Sequence, residues 1–160
     1  MTGSATTKNV WKAINNQLFA VLAMVTQENE SRSVGIVYIV LNRKLYIGTD
    51  TQSWKAKHIK NNPNVSMTIP VPKRIPLLPW IKIPQATISF SGTARVFPAL
   101  EADKELLRAV YRHFADDQEL LAENSIIEVS PVDEFITYGI DIPLMKMMKP
   151  ELARGRASVE

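Results

Sequence analysis

The sequence predicts an α+β domain, with six or seven mostly antiparallel strands forming a small barrel and about three short helices at its flanks. Three observations carry that expectation. The apolar runs between residues 19 and 49 are short, β-branched and separated by polar turns. The stretch "ATISFSGTARVF" (86–97) alternates apolar and polar residues. The stretch "ALEADKELLRAVYRHFAD" (99–116) repeats its apolar residues at helical spacing, with charges opposite. At 160 residues the chain suits one domain with a sizeable core and is short for two.

The elements follow in order. "TGSATT" reads as a frayed start, so residues 1–7 are expected as a flexible tail. "KNVWKAINN" places Val10, Trp11 and Ile14 on one side of a short helix. "FAVLAMVT" (19–26), "SVGIVYIVL" (33–41) and "KLYIGT" (44–49) then read as a meander joined by "QENESR" and "NR". The middle run is apolar at even and odd positions alike, which predicts a strand covered on both faces. "SWKAKHIKNN" predicts a helix of two or three turns, capped by Ser53, with Ala56 and Ile59 inward.

"NVSMTIPV" is a further strand. Prolines 70, 72, 76, 79 and 84 then crowd one segment, which predicts an extended loop or sheet edge. In the alternating strand, Ile88, Phe90, Ala94 and Val96 share one face; Thr87, Ser89, Thr93 and Arg95 share the other. The long helix carries Leu106, Leu107, Val110, Tyr111 and Phe114 as its apolar stripe. "SIIEVS" and "VDEFITYGI" are two more strands around Pro131. From about 150 to 160 the chain is expected to unwind as a second tail.

Composition narrows the function. A 46% hydrophobic, 22% charged chain is of ordinary globular type. Its net charge of +3 and pI near 9.2 come from scattered basic residues, so no nucleic-acid partner is expected. The absence of cysteine removes disulfides, thiolate metal sites and cysteine nucleophiles. His58 and His113 lie far apart, without acidic residues at ligand spacing, so no metal site is expected. No apolar run matches a leader or a bilayer span. A cytoplasmic protein without stable membrane insertion follows as the expectation.

The most informative stretch is "GTDTQSWKAKHIKNNPNVS" (48–66). Hydroxyls and a lysine gather where a strand runs into a helix. First-turn N–H groups lack intrahelical partners, and the helix dipole adds partial positive charge. Ser53 can cap the helix or donate to an anion, and Lys55 brings a full charge. Thr49 and Thr51 can add donors. The same pattern also describes a solvated turn with a good cap, and from these residues alone both readings stand.

The order "T-x-x-x-S-x-K-A-x-x-I-x-N-N-P-x-V-S" after a β-hairpin resembles the flavin-phosphate segment of the pyridoxamine 5′-phosphate oxidase-like family. The resemblance extends more loosely from Phe19 to Phe97 and includes the "SGTA" of the later strand. It implies an FMN-binding split β-barrel working as a homodimer, with flavin at the subunit interface and a small-molecule redox substrate. Thr49, Ser53 and Lys55 fall on positions that hold the FMN phosphate, and Ser33 through Tyr38 lie beside the ring. Relatives have diverged to bind deazaflavin F420 or haem instead, or to act as non-catalytic flavin-binding dimers.

The departures from the family pattern are also specific. Trp54 stands where many members carry arginine; Arg32, Arg154 and Arg156 are the candidate replacements. Ser33 and Tyr38 stand where true pyridoxamine phosphate oxidases carry Arg and Lys, and the closing Arg-Leu-x-Pro signature is missing. Pyridoxamine phosphate is therefore not the expected substrate. A flavin performs the redox chemistry itself, so no side chain is singled out as catalytic. The apolar residues of "IPLLPWIKIP" require a cover: a partner subunit, a ligand or a membrane surface.

Overall fold

The computed structural model describes residues 5–160. Helix α1 (Thr7–Asn15) leads into β1 (Phe19–Val25), β2 (Ser31–Val37), β3 (Ile39–Leu41) and β4 (Lys44–Asp50). Then come α2 (Trp54–Asn61), β5 (Asn64–Val71) and the long β6 (Ala86–Pro98). Helices α3 (Lys104–Tyr111) and α4 (Gln118–Glu123) precede β7 (Asn124–Pro131) and β8 (Glu134–Tyr138). Two single-turn helices, α5 (Leu144–Met147) and α6 (Pro150–Ala153), lead to β9 (Arg154–Ser158).

The sheet is antiparallel, with a seven-strand path β2-β1-β5-β6-β7-β4-β3, while β8 pairs with β6 and β9. The first and last strands of that path, β2 and β3, are joined by one residue, Tyr38. A sheet whose ends are tied so closely must curl on itself, and this produces the half-barrel expected from the sequence. Its inner face is the core. Ala20, Leu22 and Met24 of β1, Met67 and Ile69 of β5, and Ile88 and Phe90 of β6 are buried there. Helix α1 closes it with Val10 and Ile14, both fully buried, which contributes about 2 kcal/mol per side chain. Trp11 meets Phe135 edge to face at 5.3 Å.

The loop carrying most of the prolines falls between β5 and β6, as predicted. Pro70 itself sits in β5, opposite Thr87, but the β1 ladder ends at Thr68. Its missing N–H therefore interrupts no pairing on that side. The β3–β4 hairpin turns through Asn42 and Arg43, both left-handed, at φ 50° and 58°.

Several expectations change. The apolar run 33–41 is not one doubly covered strand: it divides at Tyr38, and β2 forms one end of the sheet path, with Val37 65% exposed. The long helix is interrupted. An α-helix starts at Lys104 under an Asp103 cap and ends at Arg112, whose φ of 53° breaks it. Phe114 falls in the following single turn and is exposed. Asp117 caps α4, a helix not anticipated.

The tail expected to unwind after about 150 is instead ordered. β9 pairs with β8 along its length, and the Val159 carbonyl accepts the Trp11 indole N–H at 3.1 Å. An open β8 edge recruits five residues too polar and too few to signal a strand locally. Of the other tail, residues 1–4 lie outside the described residues; Thr6 caps α1 and Ala5 is buried. No helix among the described residues is long and apolar enough to cross a membrane.

Candidate functional site

The corner between β4 and α2 is built by local hydrogen bonds. Asp50 turns the chain by accepting the Gln52 N–H at 2.6 Å, and the Ser53 N–H donates to the Asp50 carbonyl at 3.1 Å. Extended φ/ψ at Ser53 makes it the N-cap of α2, with its Oγ accepting the Ala56 N–H at 3.3 Å. Thr49, almost fully buried at the end of β4, places Oγ1 3.0 Å from the same Ser53 Oγ. Buried Ala56 and Ile59 hold the helix against the sheet.

Lys55 lies in the first turn, partly buried beside this hydroxyl pair in sequence. Trp54 is 44% exposed, and its ring packs against His58 at 5.7 Å. No acidic residue occurs between Asp50 and Glu101 in the sequence, and the first turn of α2 itself carries none; the Asp50 carboxylate sits in the turn before it. Two hydroxyls, a lysine and first-turn amides form a donor set suited to a phosphate.

Not every sequence candidate joins this group. Thr51 turns away: its Oγ1 pairs with the buried Ser125 hydroxyl of β7 at 2.8 Å. Tyr38 is 1% exposed, and its hydroxyl donates to the Ile14 carbonyl at 2.7 Å. Burial pushes that phenol well above its usual range. Tyr38 thus seals α1 onto the barrel, and its hydroxyl has no freedom to serve a ligand. Ser33 is exposed on β2, opposite Ala23. Of the candidate arginines, Arg32 pairs with Glu30 and Arg156 with Glu134, both at the surface, while Arg154 stands opposite Tyr138.

Over Gly48 of β4 opens a cleft of about 250 Å3, lined also by Val37, Tyr38, Ile39, Tyr46 and Tyr111. Gly48 is required by packing: a Cβ there would come within 2.9 Å of Val110 and 3.3 Å of the Tyr111 ring. Its bare backbone lets α3 lie close over β4. The Tyr111 hydroxyl donates to the Ser125 carbonyl at 3.1 Å, and burial pushes this phenol up to about 12.

The densest polar cluster escaped the sequence reading. Glu128 on β7 is buried and accepts from Arg95 Nε at 2.8 Å, Lys44 Nζ at 3.1 Å and Tyr46 Oη at 3.1 Å. The register explains the convergence, because Tyr46 and Arg95 lie directly across from Glu128 on its two neighbouring strands. The Arg95 hydrogen bonds hold the carboxyl down to about 2 against the opposing effect of burial, with Lys44 and Tyr46 assisting. Alternation predicted that Arg95 faces outward, but local periodicity carries no information on which carboxylate meets it.

Solved structures share this architecture. General Stress Protein 26 from Bacillus anthracis superposes with a TM-score of 0.62 at 22% identity, covering 86% of this chain and 95% of that one. HutZ, the heme storage protein from Vibrio cholerae, gives 0.60 at 12% identity, with 83% and 94% covered. An F420 reductase gives 0.52 at 18% identity, with 76% and 91% covered. At such identities the likeness is one of fold, and the class is the split β-barrel. None of the curated proteins matches the sequence. The family model for pyridoxamine 5′-phosphate oxidase matches residues 6–137, and the chain belongs to that family.

Proposed function

We infer that this protein binds FMN and acts as an oxidoreductase on a small-molecule redox substrate. The observation that carries the reading is the Thr49–Ser53 hydroxyl pair, 3.0 Å apart at the start of α2 and followed by Lys55, inside the segment the family model spans. In this reading Thr49, Ser53 and Lys55 hold the phosphate end, with the first-turn amides of α2 adding donors. Bound FMN supplies the hydride or electron transfer. Ser33 and the backbone around Tyr38 border the ring, and Trp54 shields the phosphate corner with its indole.

The working form is a homodimer. Leu18, Phe19 and Val37 are 59%, 48% and 65% exposed around the β2 edge, and a second copy covers them. Pyridoxamine phosphate is not the substrate, since an exposed serine and a core tyrosine replace the family's Arg and Lys. The cysteine-free chain suits a cytoplasmic setting. A second reading keeps the fold and exchanges FMN for F420 or haem, and Trp54 in the arginine position favours it by removing a cation from the phosphate corner.

A visible absorbance scan of the purified protein tests the choice. A flavin spectrum with equimolar FMN released on denaturation supports the first reading. A Soret band or a deazaflavin spectrum supports the second. Colourless protein that none of the three ligands reconstitutes overturns both.

A further inference from the structure

We propose that the Pro-rich β5–β6 loop and the α5 segment together form a docking surface for an anionic lipid bilayer. This inference is independent of the cofactor assignment. Both segments leave the same end of the sheet: Val71 pairs with Ala86 at the loop's base, and the adjoining Thr87 pairs with Tyr138, just before the α5 region. Lys73 Nζ ties them together by donating to the Ile142 carbonyl at 2.9 Å.

Each segment presents apolar side chains at its tip. Leu77 is 87% exposed and Trp80 73%; on the α5 side, Met145 and Met148 are each 80% exposed. Closely spaced prolines keep this loop out of the sheet, so these side chains cannot turn inward as a strand's would. Exposed apolar groups of this size, gathered at one end of a molecule, mark a surface that another body covers.

Charge selects the occupant. Arg74 and Lys82 flank the loop tip, while Lys146 and Lys149 each follow one of the two exposed methionines, and all four are exposed. Neither 72–85 nor 142–149 contains a carboxylate; the nearest to α5 in the sequence, Asp141 and Glu151, bracket it, and Asp141 is engaged by Asn9. A second copy docked on this patch about a two-fold axis would set cations against cations. An anionic leaflet meets both requirements at once. Trp and Met enter the headgroup boundary, and each basic side chain gains from the negative surface potential. The contact is peripheral, because these tips are too short to insert further.

Co-sedimentation of the full chain with vesicles tests the proposal. Vesicles with about a third phosphatidylserine should bind at least tenfold more tightly than pure phosphatidylcholine. Binding should weaken as salt is raised towards about 0.5 M, and tryptophan emission should shift to the blue. Leu77→Ser/Trp80→Ser, and separately Met145→Ser/Met148→Ser, should each reduce binding about tenfold or more with an unchanged thermal melt. Equal binding to both vesicle types, or none to either, overturns the proposal. So does a loop variant that halves the mass in light scattering, which would show a second copy covering the patch.

Discussion

Thr49 Oγ1 and Ser53 Oγ lie 3.0 Å apart across the turn between β4 and α2. Ser53 also accepts the Ala56 N–H, so one hydroxyl links the end of a strand to the start of a helix. A residue that caps and binds at once should lose both functions together, whereas its neighbour Lys55 should lose only one.

If the proposed phosphate site is right, Lys55→Ala is expected to weaken FMN binding about tenfold or more, with little change in thermal unfolding, because in that proposal its charge serves the ligand. Ser53→Ala should lower affinity and also cost about 1 kcal/mol of stability through the lost cap. Titration followed by quenching of tryptophan emission, alongside urea unfolding, separates the two effects. Unchanged affinity in Lys55→Ala would mean that the phosphate binds elsewhere.

Thr51→Val should show the reverse behaviour. Its hydroxyl is spent on Ser125, which is buried and would be left short of a partner, at a cost of about 1 kcal/mol. FMN affinity should stay within about twofold of the parent, a change too small to count as a lost phosphate contact. A loss as large as that in Lys55→Ala would make Thr51 a ligand after all.

Glu128 should control the acid side of the stability curve. Its carboxyl is held down to about 2 in the folded protein, against an ordinary value of 4.5. A lowered folded value means a contribution that is complete above 4.5 and is lost as pH falls towards 2. Glu128→Gln should therefore cost about 2 kcal/mol near neutral pH and almost nothing at about pH 2. Urea midpoints measured across that range check it. Parallel curves for the two proteins would refute the linkage.

Tyr38→Phe should cost about 1 kcal/mol by stranding the Ile14 carbonyl, with FMN binding intact. On the alkaline side, Tyr46 and Tyr111 are both pushed up to about 12, and burial is the largest cause in each. Raised folded values give stability that is complete below the ordinary phenol value of 10 and is lost as pH rises through about 12. Alkaline melts followed by phenolate absorbance should show these two groups ionising late, with unfolding.

Much of this was legible locally. Alternation in β6 placed Ile88, Phe90 and Ala94 on its buried face, because period-two burial is a property of the strand itself. The Ser53 cap and the turn before it were legible for the same reason: each hydrogen bond there spans only two to four residues. Arg112 broke the long helix because a single left-handed residue ends a helix without altering its apolar spacing. Strand β9 stayed hidden because "RGRAS" becomes a strand only when an open β8 edge is present.

Sequence alone therefore determined strands β1, β4, β5, β6, β7 and β8, helices α1 and α2, and the donors at the mouth of α2, since these depend on neighbours within one turn or one pleat. Tertiary structure decided which partners the polar side chains take. Thr51 goes to Ser125 across 74 residues, Tyr38 to Ile14 across 24, and Glu128 to Lys44 across 84. Such pairings depend on which strands lie side by side and in what register, and that is settled only when the whole sheet closes.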